Sequence, residues 1–256
     1  MKFLLFISIA FSCLTLFGQE FRTDLSSVSK KKISIYLDKS NLEIKATSNA
    51  ELVIRTNDEF TIPERAEGLK PLYNAAEDNT GIGLEVQKTE SGITIKRASG
   101  KAVDYVFEIP KNFDLYLELG FQSGDIELDG FSGELEIESK ISDVNIKNSY
   151  GPISVNSISG NIEVIYSNDA IKGPTTLNTV SGEVDVTLPK TSKLDLELST
   201  ITGEVYVADP SKFAEKEKQK EGLYHVGGQN MKTKYNGGGQ NLNLITISGN
   251  IYFREK

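Results

Sequence analysis

The chain has 256 residues and no long linker, which suits one elongated domain better than two. Its 28 basic and 36 acidic residues leave a net charge of −8, which argues against nucleic acid or an anionic membrane surface as partner. One cysteine, Cys13, and one histidine, His225, are too few for an internal disulfide, a multi-histidine metal site or, given where His225 sits, a histidine-dependent triad.

Met1-Lys2 is followed by an apolar run from Phe3 to Phe17, broken only by Ser8, Ser12, Cys13 and Thr15. A positive start, a short apolar run and a small residue before a polar stretch read as a secretory signal peptide over residues 1–18, cleaved after Gly18. The run is too short to be a retained membrane span. The alternative is lipoprotein processing at Cys13, but Ala10-Phe11-Ser12-Cys13 lacks a leucine-like first residue and apolar residues continue past the cysteine. Cleavage after Gly18 gives a cysteine-free mature chain beginning at Gln19, and removing Lys2 takes the charge to −9.

From residue 22 to 120, Ile33–Leu37, Leu42–Ile44, Leu52–Ile54, Leu84–Val86, Ile93–Ile95 and Val103–Ile109 alternate apolar and polar residues, as half-buried strands do. We read residues 19–112 as the opening strands and cap of the fold. Phe60 to Gly83 breaks the alternation with charge, Tyr73 and turn residues, and Glu64–Glu67 suits a helical turn after Pro63.

Residues 113–256 carry a repeated phrase: Gln122–Ile126, Ile158–Ile162, Val180–Val184, Ile201–Val205 and Ile247–Ile251, each centred on Ser-Gly or Thr-Gly. A further copy, Lys140–Val144, has Ser142 at the glycine position, and successive copies are 18, 18, 22, 21 and 46 residues apart. A fixed period near twenty defines a solenoid. Apolar pairs such as Ile162/Val164 and Val184/Val186 follow the glycine, and a second alternating run out of step with them precedes it. A one-residue slip turns inward side chains outward, so the chain must bend at the glycine. Ile126, Val144, Ile162, Val184, Val205 and Ile251 are expected to stack inward, one per coil, with equivalent strands of successive coils in parallel. The expected fold is all-β: a parallel β-solenoid of 18–22-residue coils, right-handed by the general preference of parallel crossovers. An inserted loop at residues 210–239, charged and then glycine-rich, lengthens the final interval.

The tandem Ser-Gly-x-Ile/Val phrases, the strand ends Ile109-Pro110-Lys111 and Leu188-Pro189-Lys190, and the terminal Ile247–Ile251 resemble a bacterial adhesin-like domain family of unknown function. The resemblance covers roughly residues 33–253. It implies a β-solenoid at the cell envelope, related to auto-transporter adhesin heads, and brings no catalytic residues with it. Ser142 departs from the pattern and puts one corner's geometry in question.

No P-loop, dinucleotide fingerprint or calcium nonapeptide is present, and no cofactor is implied. Asp125, Asp143, Glu183 and Glu204 share one position in the coil, and Glu127, Glu163 and Asp185 another. Neighbouring charges at strand spacing repel by only about 1 kcal/mol in water, so a solvated face explains them; a shallow cation site is the alternative. Two functions remain open. One is a non-catalytic exported adhesin-like binding or scaffold module, with a cell-surface glycan or an envelope protein as partner. The other is a polysaccharide lyase or hydrolase, although basic residues are scattered, tryptophan is absent, and only Tyr206 and Tyr252 share a column. Arg65, Tyr73, Asp78 and Asn79 are the expected ligand-binding residues, because arginine and tyrosine on a turn-rich loop offer bidentate hydrogen bonding and amphipathic area.

Overall fold

The computed structural model describes residues 19–59, 64–69, 76–121, 123–169, 171–213 and 229–256. The opening strands are β1 (Gln19–Asp24), β2 (Lys32–Leu37), β3 (Leu42–Thr47), β4 (Glu51–Thr56), β5 (Leu84–Thr89), β6 (Gly92–Arg97) and β7 (Tyr105–Pro110). The repeats follow as strand pairs: β8 (Asp114–Leu119) with β9 (Ile126–Asp129), β10 (Leu135–Ser139) with β11 (Val144–Ser149), and β12 (Ile153–Ser159) with β13 (Ile162–Tyr166). Next come β14 (Thr175–Ser181) with β15 (Val184–Leu188), and β16 (Leu194–Thr200) with β17 (Val205–Val207). The chain ends in β18 (Gln229–Tyr235), β19 (Gln240–Ser248) and β20 (Ile251–Glu255). The only helical pieces among the described residues are 3-10 turns at Glu64–Ala66 and Pro210–Lys212.

The strands form two ten-stranded, mostly parallel sheets. Sheet I runs β1-β4-β7-β3-β9-β11-β13-β15-β20-β17, and sheet II runs β18-β16-β19-β14-β12-β10-β8-β2-β6-β5. Each coil contributes one strand to each sheet, and the apolar core lies between them. Ile126, Val144, Ile162, Val184, Ile251 and Val205 are in register across sheet I, the first five fully buried and Val205 partly so at the sheet edge. Burial of each such side chain contributes about 1.5–3 kcal/mol. Tyr166 closes one side of this core, its hydroxyl 2.5 Å from Thr175 Oγ1.

Two features depart from simple stacking in chain order. After β15 the next strand in sheet I is β20, not β17, and after β14 the next in sheet II is β19, not β16. The last coil of the chain therefore lies between the two coils that precede it in sequence. Moreover, the inserted segment carries a strand of its own, because β18 pairs antiparallel with β16 over Leu194–Thr200 and ends sheet II. The period alone could not show either feature, since every copy of the repeat offers nearly the same stacking surface.

Antiparallel pairs also occur at the opening end, where β1 joins β4, β4 joins β7 and β5 joins β6. Arg55 on β4 bonds Glu20 of β1 and Glu108 of β7, crossing the antiparallel seam.

Candidate interaction surface

All repeat coils turn from sheet II to sheet I at one corner, and the sequence phrase builds that corner. At Gly182 the backbone lies so close to the coil beneath that a Cβ would sit 2.1 Å from the carbonyl oxygen of Gly160, and its φ is +156°. Gly249 repeats the arrangement against Gly182, where a Cβ would fall 1.9 Å from the carbonyl. The carbonyls beneath are held by hydroxyls facing inward: Thr179 donates to Gly160 at 3.1 Å, Thr246 to Gly182 at 3.0 Å and Thr200 to Gly249 at 2.9 Å.

The residue after the glycine forms a second ladder. Asp143 Oδ1 accepts the backbone N–H of Asn161 at 2.6 Å, Asn161 Oδ1 accepts that of Glu183 at 2.9 Å, and Asn250 Oδ1 accepts that of Glu204 at 3.0 Å. Asn41 starts the row by accepting the N–H of Asp125 at 3.0 Å. Short carboxylate or amide side chains therefore serve here as rungs between coils. Among the described residues no group of three or more His, Cys, Asp or Glu side chains could hold a metal ion. At the corner that departs from the pattern, Ser142 is buried and the register of Ile126, Val144 and Ile162 passes through unchanged.

The slip at the corner has a consequence on the outside. Thr246 and Thr200 point inward, so the residues after them point out. Ile158, Val180 and Ile247 lie side by side through the pairing of Ser159, Ser181 and Ser248, and Ile201 lies beside Ile247. In the next two coils the column continues with Lys140 and Gly120, and the exposed Ile141 and Phe121 stand one position further along. Ile158, Val180, Ile247 and Ile201 are 45–55 % exposed. At about 4.8 Å per coil they make a rib about 14 Å long. Contiguous apolar surface of this kind on a soluble protein marks an interaction site far better than isolated exposed residues do. The signal was present in the sequence as the Ile or Val opening four copies of the phrase, which the expected parity of the strands places outside.

The outer faces of the sheets are polar and largely self-satisfied. On sheet II, Asn178 donates to Asn156 and Asn156 to Glu138, both at 2.9 Å. On sheet I, Tyr206 and Tyr252 stack at 5.4 Å with rings 10° apart. Arg254 lies 5.2 Å from the Tyr252 ring and bonds Asp185 at 2.8 Å. A cleft of about 350 Å³ opens between Asn168, Asp169, Ile171, Lys193 and Gln240, with Asp169 the only carboxylate in its lining.

Of the residues expected to bind a ligand, Tyr73 lies outside the described residues, as do residues 1–18 and His225. Arg65 is exposed on the turn Glu64–Ala66. Asp78 and Asn79 adjoin in one loop and fasten it. Asp78 accepts the N–H groups of Thr80, Gly81 and Gly83, each at 2.9 Å. Asn79 bonds both backbone groups of Val86, at 2.8 and 2.9 Å. These bonds hold the loop against β5, a role the turn residues in the sequence did not reveal.

Two sheets wound from short coils, joined by glycine corners and asparagine rungs, define an all-β repeat protein. The chain belongs to the Toastrack DUF4097 family, whose sequence profile matches residues 13–252. Among solved structures it is similar to a candidate cell adhesion protein from Clostridium sporogenes, at 13 % identity and a TM-score of 0.47, covering 93 % of this chain and 99 % of that one. It is also similar to a candidate adhesin from Bacteroides fragilis, at 10 % identity and a TM-score of 0.43, covering 93 % and 98 %. No curated protein matches the chain.

Proposed function

We propose that the protein is a non-catalytic exported module of the cell envelope that binds another molecule. The observation that supports this reading is the apolar rib. The polar rows on either side are taken up by bonds between coils, whereas Ile158, Val180, Ile247 and Ile201 each leave about half of their surface to water. In this reading residues 1–18 direct export, the mature chain starts at Gln19, and residues 19–112 cap a right-handed solenoid formed by residues 113–256. Arg65 and Tyr73 add polar recognition in this reading, while Asp78 and Asn79 fasten the loop that leads into β5.

A panel of acidic and neutral polysaccharides incubated with the mature protein should yield no new reducing ends and no unsaturated products. Cleavage of any of them would replace this reading with an enzymatic one. N-terminal sequencing of the native protein should find Gln19; a lipid-modified Cys13 would make it a membrane-anchored lipoprotein instead.

A further inference from the structure

We infer that the cleft beside the start of β16 binds a neutral sugar, a single hexose or a disaccharide unit of a glycan. The inference rests on the binding-module reading above and gives it a ligand class. Coil order makes the cleft. From β9 to β14 each connection from sheet I back to sheet II climbs one coil, but residues 189–193 climb two, from β15 past β19 to β16. Residues 236–239 cross the same ground in the opposite direction, carrying the chain from β18 over the start of β16 to β19. The cleft, of about 350 Å³, lies between these two connections and the one from β13 to β14, which supplies Asn168, Asp169 and Ile171.

The backbone around it is fastened. Asn236 Nδ2 donates to the carbonyls of Lys190 and Ser192 at 2.9 and 2.8 Å, tying the crossing connections together. The N–H of Gln240 donates to the Lys193 carbonyl at 3.2 Å, and that of Ser192 to the Pro189 carbonyl at 2.9 Å. Gly239 packs so closely that a Cβ would fall 2.1 Å from the same Lys193 oxygen. The side chains, by contrast, are uncommitted. Among the described residues those of Asn168, Thr191, Lys193 and Gln240 hydrogen-bond nothing, and Asp169 meets only Ser167 Oγ, at 3.4 Å. Elsewhere on the coils such amides are engaged with their neighbours, as Asn156, Asn161 and Asn178 are. A fixed frame around polar groups with no other task lowers the cost of ordering a ligand.

The chemistry of the lining selects that ligand. Asn168, Gln240 and Thr191 each donate and accept, Asp169 accepts and Lys193 donates. Vicinal hydroxyls, each a donor and an acceptor at once, match this mixture. A phosphate or carboxylate brings acceptors alone, and would meet the Asp169 charge with only Lys193 to offset it. One carboxylate and one ammonium leave the lining neutral, so no net field favours a charged sugar. Ile171 and Pro189 add apolar surface for the C–H face of a pyranose ring, and the volume lies at the small end of the about 300–1,000 Å³ common for ligand sites. Asn168, Asp169 and Lys193 are exposed, so the mouth admits the end of a longer glycan.

The test follows amide proton–nitrogen correlation spectra of the mature protein titrated with glucose, galactose, mannose, N-acetylglucosamine, maltose, cellobiose and lactose. At least one sugar should shift the signals of Asp169, Thr191, Lys193 and Gln240 saturably and leave those of β2 and β8 in place. Asp169→Ala and Gln240→Ala, both at exposed positions, should each weaken binding of that sugar at least tenfold with an unchanged thermal melt. Inorganic phosphate and glucuronate should bind there at least tenfold more weakly than the sugar. The inference is overturned if no sugar of the panel moves these signals, if binding survives both substitutions, or if phosphate or glucuronate binds as tightly. Sugar binding that Val180→Thr in the rib abolishes and the cleft substitutions spare would overturn the cleft site and leave the binding module standing. Hydrolysis of a disaccharide during the titration would remove the non-catalytic reading and the inference together.

Discussion

Thr246 gives its hydroxyl hydrogen to the carbonyl of Gly182, 3.0 Å away and 64 residues earlier in the chain. The carbonyl is the one that would collide with any side chain at Gly249. The bond thus fixes the surface on which the next glycine rests. Thr246→Val keeps the shape and removes the donor, and should cost about 1–2 kcal/mol, read as a lower midpoint in urea unfolding.

Gly182→Ala should be among the more damaging single changes, because the new Cβ meets backbone rather than a yielding side chain. A loss above about 3 kcal/mol, or failure to fold, is expected. Gly68→Ala provides the contrast. Gly68 has φ +76° but open space around it, so it should cost only about 1 kcal/mol of backbone strain. Equal losses at the two sites would mean that coil-to-coil approach is not what the corner glycine provides.

Ser142 replaces glycine at one corner, and its Oγ is buried without a hydrogen-bond partner among the described residues. Ser142→Ala removes that group while keeping the Cβ the site already accommodates. Stability should stay level or rise by about 0.5–1 kcal/mol, measured by calorimetry. A clear loss would show that the hydroxyl is bonded after all.

The last strand is fastened by a small acid-sensitive cluster. Glu255 accepts from Tyr235 and from Lys212, both at 2.6 Å, beneath the edge-on rings of Phe213, Tyr235 and Phe253. Burial pushes its carboxyl up, but the bonds from Lys212 and Tyr235 outweigh this and hold it below the usual range. A carboxyl whose pKa is lowered on folding stabilises above its unfolded value of about 4.3, and that contribution is lost as pH falls through the folded value. Amide exchange in β18 and β20 should therefore quicken below about pH 4, and Glu255→Gln should make it fast at neutral pH.

Asp78→Ala removes an acceptor for three backbone N–H groups and should lower the melting temperature by several degrees. Arg65→Ala, on an exposed turn, should leave the melt within about 1 °C. If the two behave alike, the loop is not fastened by Asp78.

The columns of the core were legible because period-two alternation has one solution once the coil length is known: Ile126 through Ile251 had to face in. The corner glycines were equally plain, since the apolar phase slips at each of them. The rib was half-legible. Ile158, Val180, Ile201 and Ile247 stood in the repeated phrase, but an apolar residue beside a glycine reads first as part of the corner, and only the parity of Thr200 and Thr246 puts it outside. The role of Asp78 was hidden for a different reason. Its partners are backbone groups, which carry no letter in the sequence.

Coil order has a bearing on how the molecule is made. A chain delivered from its N-terminus presents β16 and β17 well before β19 and β20, yet these last strands are the parallel neighbours on which β16 and β17 rest. Until the final segment arrives, the waiting coil either hangs free or docks prematurely on β14 and β15, from which the latecomer must then prise it. The C-terminal strands are thus a keystone set last. Any unfinished copy shows open strand edges to proteases and to its own kind, and completion is the step that hides them.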